Sequence, residues 1–236
     1  MLMKRYLFGL CLFVTTSSYG QRHTISINYK PSRTYFGKQS QSFHDGYFAS
    51  RKGDQAFNNS INILYTYKPV SAVSFTAGIE YSQQGQNINF NADSAFPSNN
   101  RKILKIELNY LRIPFTFNCS IFKIKKSELN IYSGISFGIA TRRNDNYLDI
   151  IIQREYINLP PSIKRYNNVD WAIPMGAAFK KELAKKVFAN FGIEYLVGLT
   201  QTFSETPFSK YGVLSEFDNS RQSRLSLNIG IGFSLK

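Results

Sequence analysis

Leu225-Ser226-Leu227-Asn228-Ile229-Gly230-Ile231-Gly232-Phe233-Ser234-Leu235 alternates without a break. Apolar side chains hold every odd position, and Ser, Asn or Gly every even one. Successive side chains of an extended strand point to opposite faces, so this two-residue period makes one apolar and one polar face. Two earlier stretches repeat it. Val73, Phe75, Ala77, Ile79 and Tyr81 are separated by Ser74, Thr76, Gly78 and Glu80, and Ser82 follows. Val187, Ala189, Phe191, Ile193, Tyr195, Val197 and Leu199 form the third set. Weaker runs occur at residues 24–30, 60–68, 128–140 and 169–179.

Residues 103–118 carry a change of phase. Leu104, Ile106, Leu108 and Tyr110 are apolar on even numbers, then Leu111, Ile113, Phe115 and Phe117 on odd ones. One extra residue would cause this, which predicts a β-bulge at Tyr110–Leu111. Two shorter strands with a kink would fit as well. Pro114 suits either reading because it has no N–H for the ladder.

The alternation predicts eight strands, joined by connections of two kinds. Residues 31–59, 83–102, 141–168 and 200–222 are long connections, while 68–72, 120–127 and 180–186 are short ones. Long and short alternate, as in an up-and-down barrel with extended loops on one side of a membrane and tight turns on the other. The predicted fold is therefore all-β, an eight-stranded antiparallel transmembrane barrel. A soluble eight-stranded barrel would turn its apolar face inward around a ligand. Against that, several strands exceed the usual length of roughly five or six residues. Tyr29, Tyr65, Tyr67, Tyr81, Trp171 and Tyr195 also gather towards strand ends, as an interfacial aromatic girdle requires.

If the apolar set faces lipid, the charged residues of the strands face the lumen. Glu80, Glu107, Asp170 and Glu194 then share it with Lys105, Arg112 and Arg224. An eight-stranded barrel is just wide enough for side chains to fill. Acids and bases confined there must pair. The expectation is a packed polar interior of low conductance.

The chain has 236 residues, of which 43% are hydrophobic, 15% aromatic and 19% charged. That balance excludes a disordered chain. Residues 1–20 have the layout of a secretory signal peptide: Lys4 and Arg5, an apolar run from Tyr6 to Val14, then Ser18 and Gly20 before a cut at Gln21. The apolar run falls short of the ~20 residues a spanning helix needs. Loss of those 20 residues, Lys4 and Arg5 among them, would leave 216 and lower the net charge from +14 to +12. Residues 21–236 form the predicted barrel domain. Cys119 is then the only cysteine, so no internal disulfide is expected.

Signals for chemistry are sparse. Two cysteines and two histidines in the whole chain make a multi-ligand metal site unexpected. No Gly-rich phosphate loop or EF-hand pattern occurs, and no cofactor is expected. His44-Asp45, with Ser40 and Ser42 nearby, is the one arrangement that an outer-membrane lipid-modifying enzyme could use. A sequence-adjacent pair is weak evidence, since a triad is defined by geometry. His23 is read as structural or exposed. Scattered Lys and Arg on a secreted chain do not suit nucleic acid. Lys123, Lys125 and Lys126, then Lys180, Lys181, Lys185 and Lys186, crowd the short turns. Basic groups at a rim attract anionic headgroups, so the expected partners are outer-membrane lipid and lipopolysaccharide.

Tyr110-Leu111-Arg112-Ile113-Pro114-Phe115, with the long and short rhythm of connections, resembles the Bacteroidota outer-membrane β-barrel family that includes PorT-like proteins. Members often carry Tyr-Leu-x-Ile-Pro in mid-chain with Glu at the middle position, where Arg112 stands here. Trp171-Ala172-Ile173-Pro174-Met175-Gly176 resembles a second strand of that style. The resemblance implies an outer-membrane location and a part in type IX protein secretion or in another envelope complex. The residues themselves lead to a non-enzymatic barrel whose long loops bind. Phe43, Tyr47, Phe48, Phe90, Phe96, Tyr147, Tyr156, Tyr166, Phe203, Phe208, Tyr211 and Phe217 put aromatic groups in or beside those loops. Other envelope proteins are therefore possible partners.

Overall fold

The structure is a computed structural model that describes residues 22–36, 51–90, 103–145, 166–202 and 221–235. The candidate signal peptide and His44-Asp45 lie outside them. So do most of the loop-side aromatics: Phe43, Tyr47, Phe48, Phe96, Tyr147, Tyr156, Phe203, Phe208, Tyr211 and Phe217.

Eight strands run in chain order: β1 (Arg22–Phe36), β2 (Arg51–Val70), β3 (Val73–Phe90), β4 (Ile103–Ile124), β5 (Ser127–Asp145), β6 (Val169–Ala184), β7 (Val187–Gln201) and β8 (Arg221–Leu235). Each is antiparallel to its neighbours, and β8 returns to β1, which closes the barrel. Around the closed part of the barrel each described strand is paired on both sides, which removes the free edges of an open sheet. Every strand is longer than the roughly 9–11 residues a tilted strand needs to cross a bilayer.

Register fixes the shape. Cα partners followed once round from His23 pass through Tyr67, Phe75, Phe117, Ser133, Met175, Tyr195 and Leu225, and return to β1 at Arg33. The stagger is thus ten residues. At roughly 3.3 Å per residue it climbs about 33 Å, against about 38 Å of circumference for eight strands spaced roughly 4.8 Å apart. The strands consequently lean by about 40°. A barrel this narrow has room for side chains and little else.

The two faces invert the pattern of a soluble protein. Ile229 is 47% exposed, and its neighbour Asn228 only 8%. The same holds round the barrel: Ile27, Ile63, Ile79, Ile113, Ile135 and Leu227 point out, while Ser26, Asn62, Ser82, Arg112, Ser136 and Ser226 are buried. Soluble monomers seldom expose an apolar patch above roughly 300–600 Å². A belt drawn from all eight strands has hydrocarbon as its solvent. Aromatic rings bracket the aliphatic ones, as with Phe75 and Tyr81 around Ile79.

The predicted bulge is displaced. Against β5, Asn109 pairs with Arg142 and Tyr110 with Ala140, so the extra residue is Thr141 on β5, and its hydroxyl donates to the Asn109 carbonyl at 3.2 Å. β4 keeps one phase from Leu108 to Thr116: Leu108, Tyr110, Arg112 and Thr116 are all buried on its inner face. The change of apolar phase marks a change in what the lumen contains, from polar side chains to apolar ones. Two-residue turns, Ser71-Ala72, Lys125-Lys126 and Lys185-Lys186, join the strands at the end opposite the long connections. The periplasmic side of an outer-membrane barrel carries such turns.

The prolines of both motif stretches interrupt ladders. Pairing of β3 with β4 skips from Ala77–Phe115 to Glu80–Arg112 across Pro114. Pairing of β5 with β6 skips from Ser133–Met175 to Ser136–Ala172 beside Pro174. A missing N–H is the physical reason.

Candidate functional site

The inner face of the barrel divides into three levels. Leu108 and Tyr110 of β4 pack the lumen towards the long connections, while Ala172 and Leu196 pack beside charged residues, Ala172 two residues after Asp170 and Leu196 paired with Arg224. A charged tier crosses the middle. A polar cavity opens towards the two-residue turns.

The charged tier centres on two cations and two anions. Lys30 Nζ donates to Glu80 Oε2 at 2.8 Å and to both oxygens of Glu194 at 2.8–2.9 Å. Arg224 bridges the same carboxylates: Nη1 lies 2.7 Å from Glu80 Oε1, and Nη2 lies 2.9 Å from Glu194 Oε1. Each acid therefore meets both bases. Tyr132 donates its hydroxyl to Glu194 at 3.2 Å, and Arg224 also donates to Ser60 and Ser82 at 2.9 and 2.5 Å. A second pair, Arg112 with Asp170, is joined through Gln84, which accepts from Arg112 at 3.2 Å and donates to Ser82 at 2.8 Å.

Every strand supplies at least one member: Lys30, Ser60, Ser82, Arg112, Tyr132, Asp170, Glu194 and Arg224 come from β1 to β8 in turn. Three cations and three carboxylates make the tier electrically neutral. Neutrality matters because an unpaired ion in a dry interior is strongly unfavourable. Glycines make the space. A Cβ on Gly176 would lie 2.8 Å from the Tyr132 hydroxyl, and one on Gly138 would lie 3.2 Å from Arg112 Cγ.

Of the seven residues that the sequence placed in the lumen, Glu80, Arg112, Asp170, Glu194 and Arg224 are buried there in this network. Glu107 is not part of it. It lies on the face of β4 opposite Leu108, Tyr110 and Arg112 and is half-buried, because the strand does not switch phase at Tyr110–Leu111. The Lys105 side chain lies outside the described residues. The sequence reading passes over Lys30 and Tyr132. Lys30 is within its reach, for it continues the inward series Thr24, Ser26 and Asn28.

Below the network lies a cavity of about 460 Å³. Lys30, Tyr132 and Glu194 form its inner end, and Asn28, Asn118, Asn130, Asn190, Thr76 and Thr116 lie along its walls. Arg22, Lys123, Lys125, Lys126, Lys180 and Lys186 line it nearer the turns. Lys180 Nζ sits 3.5 Å from the centre of the Phe188 ring. Lys68 and Glu128, also on this lining, form an ion pair with each other. Among the described residues, no group of His, Cys, Asp and Glu could hold a metal ion.

Residues 24–204 match the family described as Outer membrane protein beta-barrel domain. The chain belongs to that family, and the protein is an outer-membrane protein. Among solved structures it is similar to the outer membrane protein OprG from Pseudomonas aeruginosa, with 7% identity and a TM-score of 0.54 over 92% of this chain and 96% of that one. It is also similar to Neisserial surface protein A, with 8% identity and a TM-score of 0.51 over 92% and 99%. At these identities the likeness is one of fold. No curated protein matches the chain.

Proposed function

We infer that this is a non-enzymatic outer-membrane barrel that acts through its long connections, as a structural, binding or accessory subunit of an envelope complex, and not as a pore. The observation that carries this reading is the neutral network drawn from all eight strands across the middle of the lumen. Its charged members are buried and bonded to one another, so a hydrated solute has no path that leaves them paired. Single-channel recording on the mature protein, beginning at Gln21 after loss of residues 1–20, tests it. The expected result is little or no steady conductance. A large, ion-selective conductance would overturn it.

Binding then falls to the long connections, whose aromatic residues suit contact with other proteins. Gentle detergent extraction followed by mass spectrometry should recover stoichiometric envelope partners. The narrower reading, a PorT-like component of type IX secretion, rests on Tyr110-Leu111-Arg112-Ile113-Pro114 and on Trp171-Ala172-Ile173-Pro174. It predicts that a deletion strain loses secretion of that pathway's cargo. The enzymatic alternative rests on His44, and an unchanged lipid A profile in a His44→Ala strain would dismiss it.

A further inference from the structure

By sequence, the lysines of the short turns are headgroup contacts outside the barrel. The structure also sets most of them around the lumen cavity. Lys123, Lys125, Lys126, Lys180 and Lys186 line the lumen cavity together with Arg22, whereas Lys181 and Lys185 do not.

Three local features put them there. First, Ser120 pairs with Asn130 and Phe122 with Leu129, so Ile121 is an extra residue on β4. A bulge reverses the facing of the residues after it. Without it Lys123 would point to lipid and Phe122 and Ile124 into the lumen. With it, Phe122 and Ile124 are 53% and 52% exposed on the outer side, and Lys123 reaches the cavity. Second, Lys125 and Lys186 take left-handed backbone conformations, with φ of 46° and 73°. Gly or Asn is the ordinary choice at such turn positions. Third, Phe188 holds the Lys180 ammonium over its face, turned into the cavity.

The six cations face few acids. Of the carboxylates on the lining, Glu194 belongs to the central network and Glu128 to Lys68, which leaves Glu182. An excess of positive charge inside a low-dielectric wall focuses the field on an entering anion. The inner end is shut by the paired tier, so the cavity holds a ligand and does not conduct it. Its volume lies within the roughly 300–1,000 Å³ of small-molecule sites. Several ammonium groups and one guanidinium on one cavity lining attract a compact polyanion, and both side chains are ordinary phosphate ligands, lysine as a point charge and arginine as a fork. Asparagine amides and threonine hydroxyls deeper in the cavity offer hydrogen bonds to a neutral remainder.

We propose that the periplasmic end of the lumen is a binding site for a soluble small molecule bearing two or more phosphate groups. The proposal is independent of any accessory role of the long connections.

Calorimetric titration of the mature protein in uncharged detergent, with inorganic tripolyphosphate as the probe, tests it. One equivalent should bind, and affinity should fall steeply with salt, as screening dictates. Lys123→Gln with Lys126→Gln should weaken binding by about tenfold or more, since each removes a point charge from the cavity lining. Lys181→Gln with Lys185→Gln, on the same rim but off the cavity, should change it less than about twofold. Heat-modifiable migration of each variant reports that its barrel is folded. Absence of binding overturns the proposal. Equal weakening by the two double variants also overturns it, by showing diffuse attraction to the rim. Tighter binding of a penta-glutamate peptide than of tripolyphosphate would overturn the choice of phosphate.

Discussion

The middle of the lumen and its periplasmic end use the same residue types to opposite effect. In the middle, Lys30 and Arg224 each contact Glu80 and Glu194, and all four side chains are almost wholly buried. At the end, Lys123, Lys125, Lys126 and Lys186 are exposed and outnumber the acids around them. The two regions lie on the same strands and the turns that join them. Distance from water distinguishes them. Charge in the buried tier has to balance, while charge beside the periplasm is hydrated and free to be in surplus. The first region therefore serves stability, and the second is available for recognition.

The comparison is broken most directly at Glu194, which accepts from Lys30, Arg224 and Tyr132. Glu194→Gln keeps the volume and leaves one uncompensated buried cation. A loss of about 3–5 kcal/mol is expected in reversible urea unfolding in lipid or detergent. A loss below about 1 kcal/mol would mean that water reaches the tier.

The outer face sets the next effect. Ile229→Arg puts a cation into hydrocarbon on the strand that also carries Arg224, and should lose about 2–4 kcal/mol if the site lies near the bilayer midplane. An arginine is thus tolerated on one side of β8 and rejected on the other. Gly176→Ala should cost about 1–3 kcal/mol, because its Cβ would collide with the Ile193 carbonyl as well as Tyr132. Smallest of all, Lys125→Gln or Lys126→Gln should shift unfolding by no more than about 0.5 kcal/mol, as for an ordinary surface site. A shift of several kcal/mol there would erase the distinction between the two regions.

The strands and their connectivity were legible because lipid on one side and a polar lumen on the other enforce a strict period of two. Strand ends were not. β2 starts at Arg51 and β4 runs to Ile124, well past the alternating cores at residues 60–68 and 103–118. Hydrogen bonding continues beyond the membrane, where neither face needs to be apolar, so the ladder outlasts the signal. Leu108 and Tyr110 misled for a related reason: an apolar residue near the top of β4 can be lumenal packing as well as lipid contact. The bulges at Ile121 and Leu183 left no trace in the alternation, for both fall where the pattern has faded. Five lumen charges were recognisable by phase alone. Which carboxylate meets which cation depends on the ten-residue stagger, and that comes from three-dimensional closure.

The distribution of the network over all eight strands bears on how the barrel is assembled. Lys30 belongs to the first strand and Arg224 to the last, while Glu80 and Glu194 lie between them in the chain. An unclosed sheet entering the membrane holds the acids without both of their bases, and insertion is opposed by bare ions. The final seam between β1 and β8 brings the two cations together on the two carboxylates. Closure is thus the step that neutralises the interior, which makes partly zipped intermediates short-lived and the transition into the membrane cooperative.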